Sequence, residues 1–537
     1  MTTQSVRPKA LCQLQIPCTG GSDYAEHLFP LLEQLFPLRF SSAMHEPTAI
    51  AAVALVRGPH LKPIADHIPS LTIPFSDQHA AEERNLAIDV RFSDVLDVPV
   101  PFRGRRIVAN VNAWHKLPKT ENEVALASTG QSRLWTVHAS AGARHFISAI
   151  PLPRVTSDTS FNDLFHADRF LALLPLIQFL RAITRPREYE PPPLRATYII
   201  DDPNLHWPRY GYVDYGHIAE QAEKENYHVA FATIPLDAWV THSATARIFR
   251  NSTRRLSLLI HGNNHARGEL ARHQSVSESM ALLRQATARI ERLEQSSGLR
   301  VSRVMVPPHG ACSSHMLAAL PACGFDAACV STGSLRFHNK GRPWARRLGF
   351  LPCELIEGCA VLPRWGFAGS VKNALLLAAF LGQPLIVRGH HQDLKHGADV
   401  LNDLARFTNG FGNVRWTNAA NLARMNYACQ SDGDRCLVQP FGVELQFTLP
   451  PFARQLALAP DGNADPTAQW QVTLPDGSMQ VLSCGKWLSL AGAEPRQLRI
   501  RRLPAIEPQA TDVRPPRTHP GLVMRRLLTE ARDRLCF

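Results

Sequence analysis

The sequence lacks several features that would indicate a membrane, secreted or nucleotide-binding protein. Its eleven cysteines include no Cys-x-x-Cys pair, so we expect reduced, mostly buried thiols rather than a disulfide framework. No apolar signal-peptide core follows Met1. The longest apolar stretch, residues 170–183, contains Pro175 and Gln178 and is too short to cross a bilayer. Residues 1–150 contain no P-loop and no Gly-x-Gly-x-x-Gly motif. These absences predict a cytoplasmic protein with no membrane span.

The sequence also lacks a concentrated basic arm, although the chain is basic overall. Its 537 residues carry a formal charge of +12, and clusters such as residues 103–106 and 499–503 are short. We therefore expect a solvated basic surface and no specific nucleic-acid partner. Nucleic-acid binding stays as an alternative that rests on charge alone, and an anionic substrate or glycan is compatible with the charge.

Changes of pattern along the chain divide it into four predicted parts. Residues 1–184 alternate short apolar runs with polar turns and are expected to form an N-terminal α/β domain of unknown role. Beyond a proline-rich linker, residues 196–428 repeat strand, loop and helix. Residues 432–506 alternate like a small antiparallel, β-sandwich-like domain, and residues 507–537 form a tail with a C-terminal helix.

The fold class follows from the middle part of the chain. Its strands are almost entirely apolar, which is typical of a parallel sheet covered by helices. Six or more such units predict a closed or nearly closed β/α barrel, with an open doubly wound sheet as the alternative. The predicted strands are residues 196–200, 228–234, 255–262, 301–308, 327–332 and 384–391.

Two adjacent carboxylates follow the first of these strands. Asp201 and Asp202 come directly after the apolar residues 198–200, and Pro203 comes next. A buried pair of carboxylates does not easily stay ionised without a compensating cation. The alternative is a solvated turn, because Asp and Pro are common turn residues.

Histidines follow three of the other predicted strands. His261 and His265 are four residues apart and could converge on one ion if the segment forms a helical turn. His309 lies in a stiff Pro-Pro-His-Gly turn, where a backbone N–H could face an oxyanion. His390 and His391 follow the last strand, where one of them could act as a general acid. Taken singly, each group also fits an ordinary turn, a surface loop or a structural histidine pair.

The positions of the four groups favour one shared site. Each group follows a different parallel strand, and β/α barrels build their active sites at the carboxyl ends of their strands. Over residues 196–395 this ordered set resembles the polysaccharide deacetylases of carbohydrate esterase family four, which are metal-dependent enzymes on a distorted β/α barrel. The resemblance implies a distorted β/α barrel in this chain and a divalent cation as the cofactor. Zn²⁺ is the expected ion, with cobalt, nickel and manganese as alternatives.

The resemblance also implies a role for each residue. Asp201 would be the catalytic base and Asp202 a metal ligand, as in the family's first motif. His261 and His265 would complete a three-ligand open site of the catalytic zinc type. The remaining roles are an oxyanion contact from the backbone of His309 and a general acid supplied by His391 or His390, of which we favour His391.

Two positions depart from the family pattern. Val306 stands where the family often has an arginine that orients the base, so that role would be vacant or pass to Arg303 or Arg388. Gly262 stands where Ser or Thr usually follows the first histidine, so the support of that loop is expected to differ.

These features predict a hydrolase that acts on an amide other than a peptide bond. The expected reaction is N-deacetylation of an acetylated amino sugar or glycan, which places the protein in carbohydrate metabolism. Since no export signal is visible, a cytoplasmic glycan or glycoconjugate precursor is favoured over a cell-wall polymer. The alternative is a catalytically silent, deacetylase-like protein that binds glycan or acts as a scaffold.

Overall fold

The computed structural model places most of the chain in two compact units. One unit comprises Met1–Arg187 with Pro343–Phe350, and the other comprises Glu188–Arg342 with Leu351–Phe537. No sequence pattern predicted that the segment 343–350 groups with the N-terminal residues. The finer domain boundaries proposed above stay predictions. The residues that the structure describes are 14–19, 22–41, 51–57, 67–75, 85–117, 122–185, 189–266, 268–272, 275–367, 369–459, 468–490, 496–503 and 514–535.

The first unit is built on a nine-stranded mixed sheet. Neighbouring strands are parallel in one half of this sheet and antiparallel in the other half. Residues 161–183, whose apolar character predicts one helix, contribute to two helices. The elements are β1 (Leu14–Thr19), α1 (Ser22–Leu35), β2 (Leu38–Ser41), β3 (Ala52–Arg57), β4 (Ser70–Phe75), β5 (Leu86–Phe92), β6 (Arg106–Val111), β7 (Glu123–Thr129), β8 (Ser132–Ser140), β9 (Ala143–Ser148), α2 (Phe161–Leu164) and α3 (Leu174–Thr184).

The second unit contains most of the remaining elements and all of the predicted site residues. Three short 3-10 helices, at Pro235–Asp237, Pro308–Gly310 and His391–Leu394, follow strand ends. The elements are β10 (Tyr189–Glu190), β11 (Arg195–Asp201), β12 (Arg209–Tyr210), β13 (Val213–Asp214), α4 (Tyr215–Lys224), β14 (Val229–Thr233), α5 (Ser243–Asn251), β15 (Leu256–His261), α6 (Val276–Ser297), β16 (Val301–Val306), α7 (Ser314–Ala322), β17 (Ala327–Cys329), α8 (Thr332–His338), β18 (Glu354–Ile356), β19 (Cys359–Leu362), β20 (Trp365–Gly366), α9 (Val371–Leu381), β21 (Leu385–Gly389), α10 (Asp399–Asn409), β22 (Arg415–Trp416), α11 (Ala419–Arg424), β23 (Tyr427–Asp432), β24 (Arg435–Pro440), β25 (Glu444–Leu449), β26 (Gln455–Leu458), β27 (Gln469–Thr473), β28 (Met479–Ser483), β29 (Trp487–Ser489), β30 (Arg496–Arg502) and α12 (Pro520–Leu535).

A curled, half-barrel sheet of ten strands forms the centre of the second unit. Its strand order is β18-β19-β17-β16-β15-β14-β11-β21-β20, with β22 paired to β11. All pairs are parallel except β18 with β19. The mixed α/β class is therefore confirmed. Because the central strands are parallel, the segments that follow β11, β14, β15, β16 and β21 emerge at one edge of the sheet.

The apolar strands explain why this sheet is central. Every residue of β11 and of β14 is buried, as expected for parallel strands covered on both faces. One core cluster takes side chains from successive strands, such as Ile199, Leu259 and Ile386, and packs them against α11. The cluster fixes the strands in register, so the residues that end them have fixed positions.

The C-terminal part of the chain forms two further sheets. One is β10-β23-β24-β26-β29, and the other is the antiparallel sheet β25-β30-β27-β28. A single apolar cluster that includes Val438, Trp470 and Ile500 takes side chains from both sheets. The prediction of purely antiparallel pairing is wrong at one place, because β24 and β26 are parallel.

The expectations of no membrane span and of reduced, mostly buried cysteines can be compared with the described residues. Among these residues no helix combines the length and the apolar character needed to cross a membrane. The cysteines whose side chains are described, which run from Cys312 to Cys484, are free thiols and mostly buried.

Candidate metal centre

Asp202, His261 and His265 lie together at the carboxyl edge of the curled sheet. Oδ1 of Asp202 is 3.2 Å from Nε2 of His261 and 3.0 Å from Nε2 of His265. One ligand atom from each residue lies within 4.8 Å of the other two. Atoms that each bind a zinc ion at about 2.0–2.2 Å lie about 3–4 Å apart, so the three side chains have the spacing of a ligand set.

The hydrogen bonds around this cluster fit a bound cation. Nδ1 of His261 is 2.9 Å from the carbonyl oxygen of Val306, which can only accept, so Nδ1 carries the proton. When the ring is neutral, Nε2 presents a lone pair towards Asp202, as a metal-ligating imidazole does. Oδ1 of Asp202 is buried and, within the described part of the chain, has no hydrogen-bond donor. A lone pair facing a carboxylate oxygen is repulsive unless a positive charge lies between them.

The carboxylate and the imidazoles of the cluster shift one another's pKa values. Burial acts to raise the pKa of Asp202, but the imidazoles of His261 and His265 hold it well below its usual range. Burial acts to lower the pKa of His261, but the Asp202 carboxylate raises it. The carboxylate is thus held ionised, which is the form that binds a cation.

The backbone at Asp202 is held in an uncommon conformation. Its φ is +82°, in the left-handed region that few non-glycine residues adopt. Pro203, which follows, disfavours helical geometry at this position. Such strain persists only where the surrounding structure fixes it, and it is frequent at binding sites.

His265 reaches the cluster through left-handed backbone rather than through a helical turn. Residues 262–266 contain no helix, and φ is +64° at Gly262 and +54° at His265. The side chains of the two histidines therefore converge without the helical turn on which the sequence argument made their convergence conditional.

Gly262 has a steric reason to be glycine. A Cβ atom there would lie 2.5 Å from Oε1 of Glu269 and 2.6 Å from Cγ of Pro308. Neither Ser nor Thr fits at this position without movement of these neighbours.

The support of this loop comes from the buried carboxylate of Glu269. It accepts hydrogen bonds from the backbone N–H groups of Asn263 at 2.9 Å, Asn264 at 3.0 Å and His265 at 2.9 Å. Arg289 donates to the side-chain oxygens of Asn263 and Asn264 at 2.6 and 2.9 Å. A carboxylate from outside the strand therefore fixes the loop that carries His265.

Asp201 is paired with an arginine that the sequence reasoning missed. Nη1 of Arg364 lies 3.2 and 3.0 Å from the two carboxylate oxygens of Asp201, and both side chains are buried. The expectation that Arg303 would replace the arginine absent at Val306 is wrong, because Arg303 pairs with Glu294 at 2.7 Å. The other candidate, Arg388, is not the residue that contacts Asp201 either.

Arg364 follows β19, so a signal for it was present in the sequence. An apolar run, residues 359–362, precedes Pro363 and Arg364 in the same way that apolar runs precede the other predicted site residues. This run is shorter than the other strands, and no family motif marks it. Glu269 has no comparable signal.

The structure places His390 and His391 in different environments. Nε2 of His390 is 3.9 Å from Oδ2 of Asp202, and the His390 side chain is 40% exposed. The side chain of His391 is 4% exposed, and its Nε2 faces Oδ2 of Asp533 at 3.7 Å. Burial lowers the pKa of His391, against the opposing effect of Asp533. His390 borders the metal cluster, whereas His391 lies beneath the surface.

His309 borders the cluster from the other side. It is exposed, its φ is +57°, and its ring centroid is 5.1 Å from that of His265. Burial and the neighbouring His265 lower the pKa of His309. The loops after β11, β15, β16 and β21 thus bring all seven predicted site residues to one edge of the sheet.

Comparisons with known proteins give matches at the level of solved structures. No family model matches the sequence, and no curated protein matches it. One match is the crystal structure of the carbohydrate deacetylase Agd3, whose sequence is 10% identical to this one. The match covers 91% of this chain and 99% of that chain, with a TM-score of 0.46.

Two further matches cover less of this chain. A family 4 carbohydrate esterase from Streptomyces lividans is 9% identical, with 40% of this chain and 87% of that chain covered and a TM-score of 0.25. A CE4 family pseudoenzyme from Bacillus anthracis is 12% identical, with 43% of this chain and 66% of that chain covered and a TM-score of 0.28. These matches are to carbohydrate deacetylases and esterases, at low sequence identity and low TM-score.

Proposed function

We propose that this chain is a metal-dependent deacetylase that removes an acetyl group from the nitrogen of an amino sugar in a glycan. The site would lie on a distorted β/α barrel of the polysaccharide-deacetylase type. The observation that carries the proposal is the Asp202, His261 and His265 cluster at the carboxyl edge of the parallel sheet, with the Asp201–Arg364 pair beside it.

Each residue has a chemical task in this proposal. Asp202, His261 and His265 would hold a divalent cation, most directly Zn²⁺, which polarises the amide carbonyl and lowers the pKa of a water molecule. Asp201 would take the proton of the attacking water. The backbone N–H of His309 would contact the developing oxyanion.

His390 is the better-placed general acid. Its ring borders Asp202 and is partly exposed, so it can reach a departing amine, whereas His391 is buried against Asp533. We therefore assign proton donation to His390, although the sequence favoured His391. General acid catalysis of this kind contributes about 10²–10⁴ in rate.

The main argument for a catalytically silent protein is weakened by Arg364. That argument rested on the missing arginine at Val306, and Arg364 supplies a guanidinium to the same carboxylate from another strand end. A buried carboxylate without a partner cation would have been the stronger sign of a vestigial site.

The test measures metal content and turnover on the same preparations. We expect about one zinc ion per chain, lost in His265→Ala, and release of acetate from N-acetylglucosamine oligomers. Asp201→Asn and His390→Gln should keep the metal and lose about 10²-fold or more in kcat. His391→Gln should lose less than His390→Gln.

Asp403→Asn provides the matched control, since Asp403 is an exposed carboxylate on α10. It should behave as wild type in both measurements. Full activity of Asp201→Asn would reject the assigned base. A wild-type protein that binds the oligomer without zinc and without turnover would favour the silent alternative.

A further inference from the structure

The C-terminal helix α12 packs on the site with its charged face instead of its apolar face. Arg526 and Asp533, two turns apart, are buried. Met524 is 58% exposed and Leu528 is 64% exposed on the other side of the helix. A surface helix normally buries its apolar stripe, so hydrophobic burial does not explain the placement of α12.

Two arginines of α12 contact the loops after β14 and β15. Arg526 donates to both carboxylate oxygens of the buried Asp237, with distances of 3.1 and 2.6 Å to Oδ2. Arg525 donates to the backbone carbonyl of His265, which is one of the candidate metal ligands. Hydrogen bonds between oppositely charged groups are directional and fix a register.

A histidine after β11 links α12 to the loop after β14. Nε2 of His206 donates to the backbone carbonyl of Asp237 at 2.9 Å, and Nδ1 lies 3.0 Å from Oε2 of Glu530. Burial acts to lower the pKa of His206, but the Glu530 carboxylate raises it. A ring that donates from both nitrogens is positively charged, so Glu530 and His206 form an ion pair.

Asp533 of α12 lies beside the buried ring of His391, together with two tyrosines. The carboxylate accepts a hydrogen bond from the Tyr210 hydroxyl at 3.1 Å and faces Nε2 of His391 at 3.7 Å. The rings of Tyr210 and Tyr212 pack on His391 with centroid distances of 5.4 and 6.0 Å. A Cβ atom at Gly211 would lie 2.2 Å from Nδ1 of His391, so only glycine at this position leaves room for the ring.

We propose that α12 is a polar clasp for the candidate metal centre, and that Arg526 and Asp533 are its positioning residues. One helix contacts the loops after β11, β14, β15 and β21, which carry Asp202, His265 and His390. These contacts fix the loops relative to one another beyond the edge of the sheet, where the strands no longer hold them together. The link to a metal centre rests on the proposed function, whereas the clasp itself does not.

The experiment compares full-length Arg526→Ala and Asp533→Asn with wild type. Hydrogen–deuterium exchange is measured in residues 203–214, 235–242 and 263–266, and zinc affinity is measured by competition with a chelating dye. We expect loss of protection in all three segments for Arg526→Ala, with about tenfold weaker zinc binding, as for groups that support metal ligands. Asp533→Asn, which keeps the side-chain shape, should lose protection in residues 203–214.

Leu528→Ala, on the exposed side of the same helix, is the matched control and should leave exchange and zinc affinity unchanged. Loss of protection confined to α12 in Arg526→Ala would overturn the clasp, and so would wild-type zinc affinity in that variant. If the wild type holds no zinc, the proposed function fails, and the clasp is then judged from hydrogen–deuterium exchange alone. The failure of the proposed function and the failure of the clasp are therefore distinguishable.

Discussion

Asp201 and Arg364 form a buried ion pair between two strand ends that are not neighbours in the sheet. The carboxylate ends β11, and the guanidinium follows β19, which lies on the far side of β17 in the sheet order. Curling of the sheet brings these two ends together. The resemblance read from the sequence would place an arginine after β16, at the position of Val306, whereas the guanidinium that contacts Asp201 belongs to Arg364.

Replacing Arg364 tests this contact. In Arg364→Met the side-chain length is nearly kept, but Asp201 is left as an uncompensated buried charge, and breaking such a pair costs about 3–5 kcal/mol. We expect kcat to fall by about 10²-fold or more with zinc content unchanged. Arg303→Met, which removes the partly exposed pair with Glu294, should keep full kcat. Equal activity of the two variants would show that Arg364 does not support the base.

At the scale of elements, the sequence predicts the parallel strands well and the loops poorly. Strands β11, β14 and β15 are mostly apolar, and their bounds agree with the predicted ones within one residue. The loop after β15 depends instead on a left-handed φ at His265 and on Glu269. Local patterns contain no information on such contacts, because they form only after the chain has folded.

The support of that loop by Glu269 can be tested directly. Glu269→Gln keeps the size of the side chain but replaces one acceptor oxygen with a donor NH₂ group, which opposes the backbone N–H groups of residues 263–265. We expect about tenfold weaker zinc binding and an unchanged stability of α6. Glu291→Gln, an exposed residue of α6, is the control. Zinc affinity that is equal in the two variants would contradict the assigned support.

At the scale of the whole chain, sequence patterns do not show which distant segments group together. Residues 343–350 group with the N-terminal unit across more than 150 residues of intervening chain. The tail was predicted to contain a C-terminal helix, and α12 (Pro520–Leu535) is that helix. Its packing face was not predictable, since the buried side chains are the charged ones. Long-range ion pairs of this kind leave no local signal.

One buried histidine makes the stability of the second unit sensitive to acid. His228, between α4 and β14, is buried, and its Nδ1 lies 2.8 Å from Oγ1 of Thr197 in β11. Among the described residues its Nε2 has no hydrogen-bond partner. Burial lowers the pKa of His228 to about 3, so the folded chain holds this ring neutral.

The direction of the pH effect follows from linkage. Below the ordinary histidine pKa of about 6.5 the unfolded chain binds a proton that the folded chain does not take up until about pH 3. The stability that the neutral ring contributes is therefore present above pH 6.5 and is lost as the pH falls towards 3, by at most about 1.4 kcal/mol per pH unit. We expect urea midpoints between pH 7 and pH 4 to fall less steeply in His228→Gln than in wild type. His217→Gln, at an exposed position of α4, should follow the wild-type curve. If His228→Gln also followed it, protonation of His228 would not be the source of the acid sensitivity.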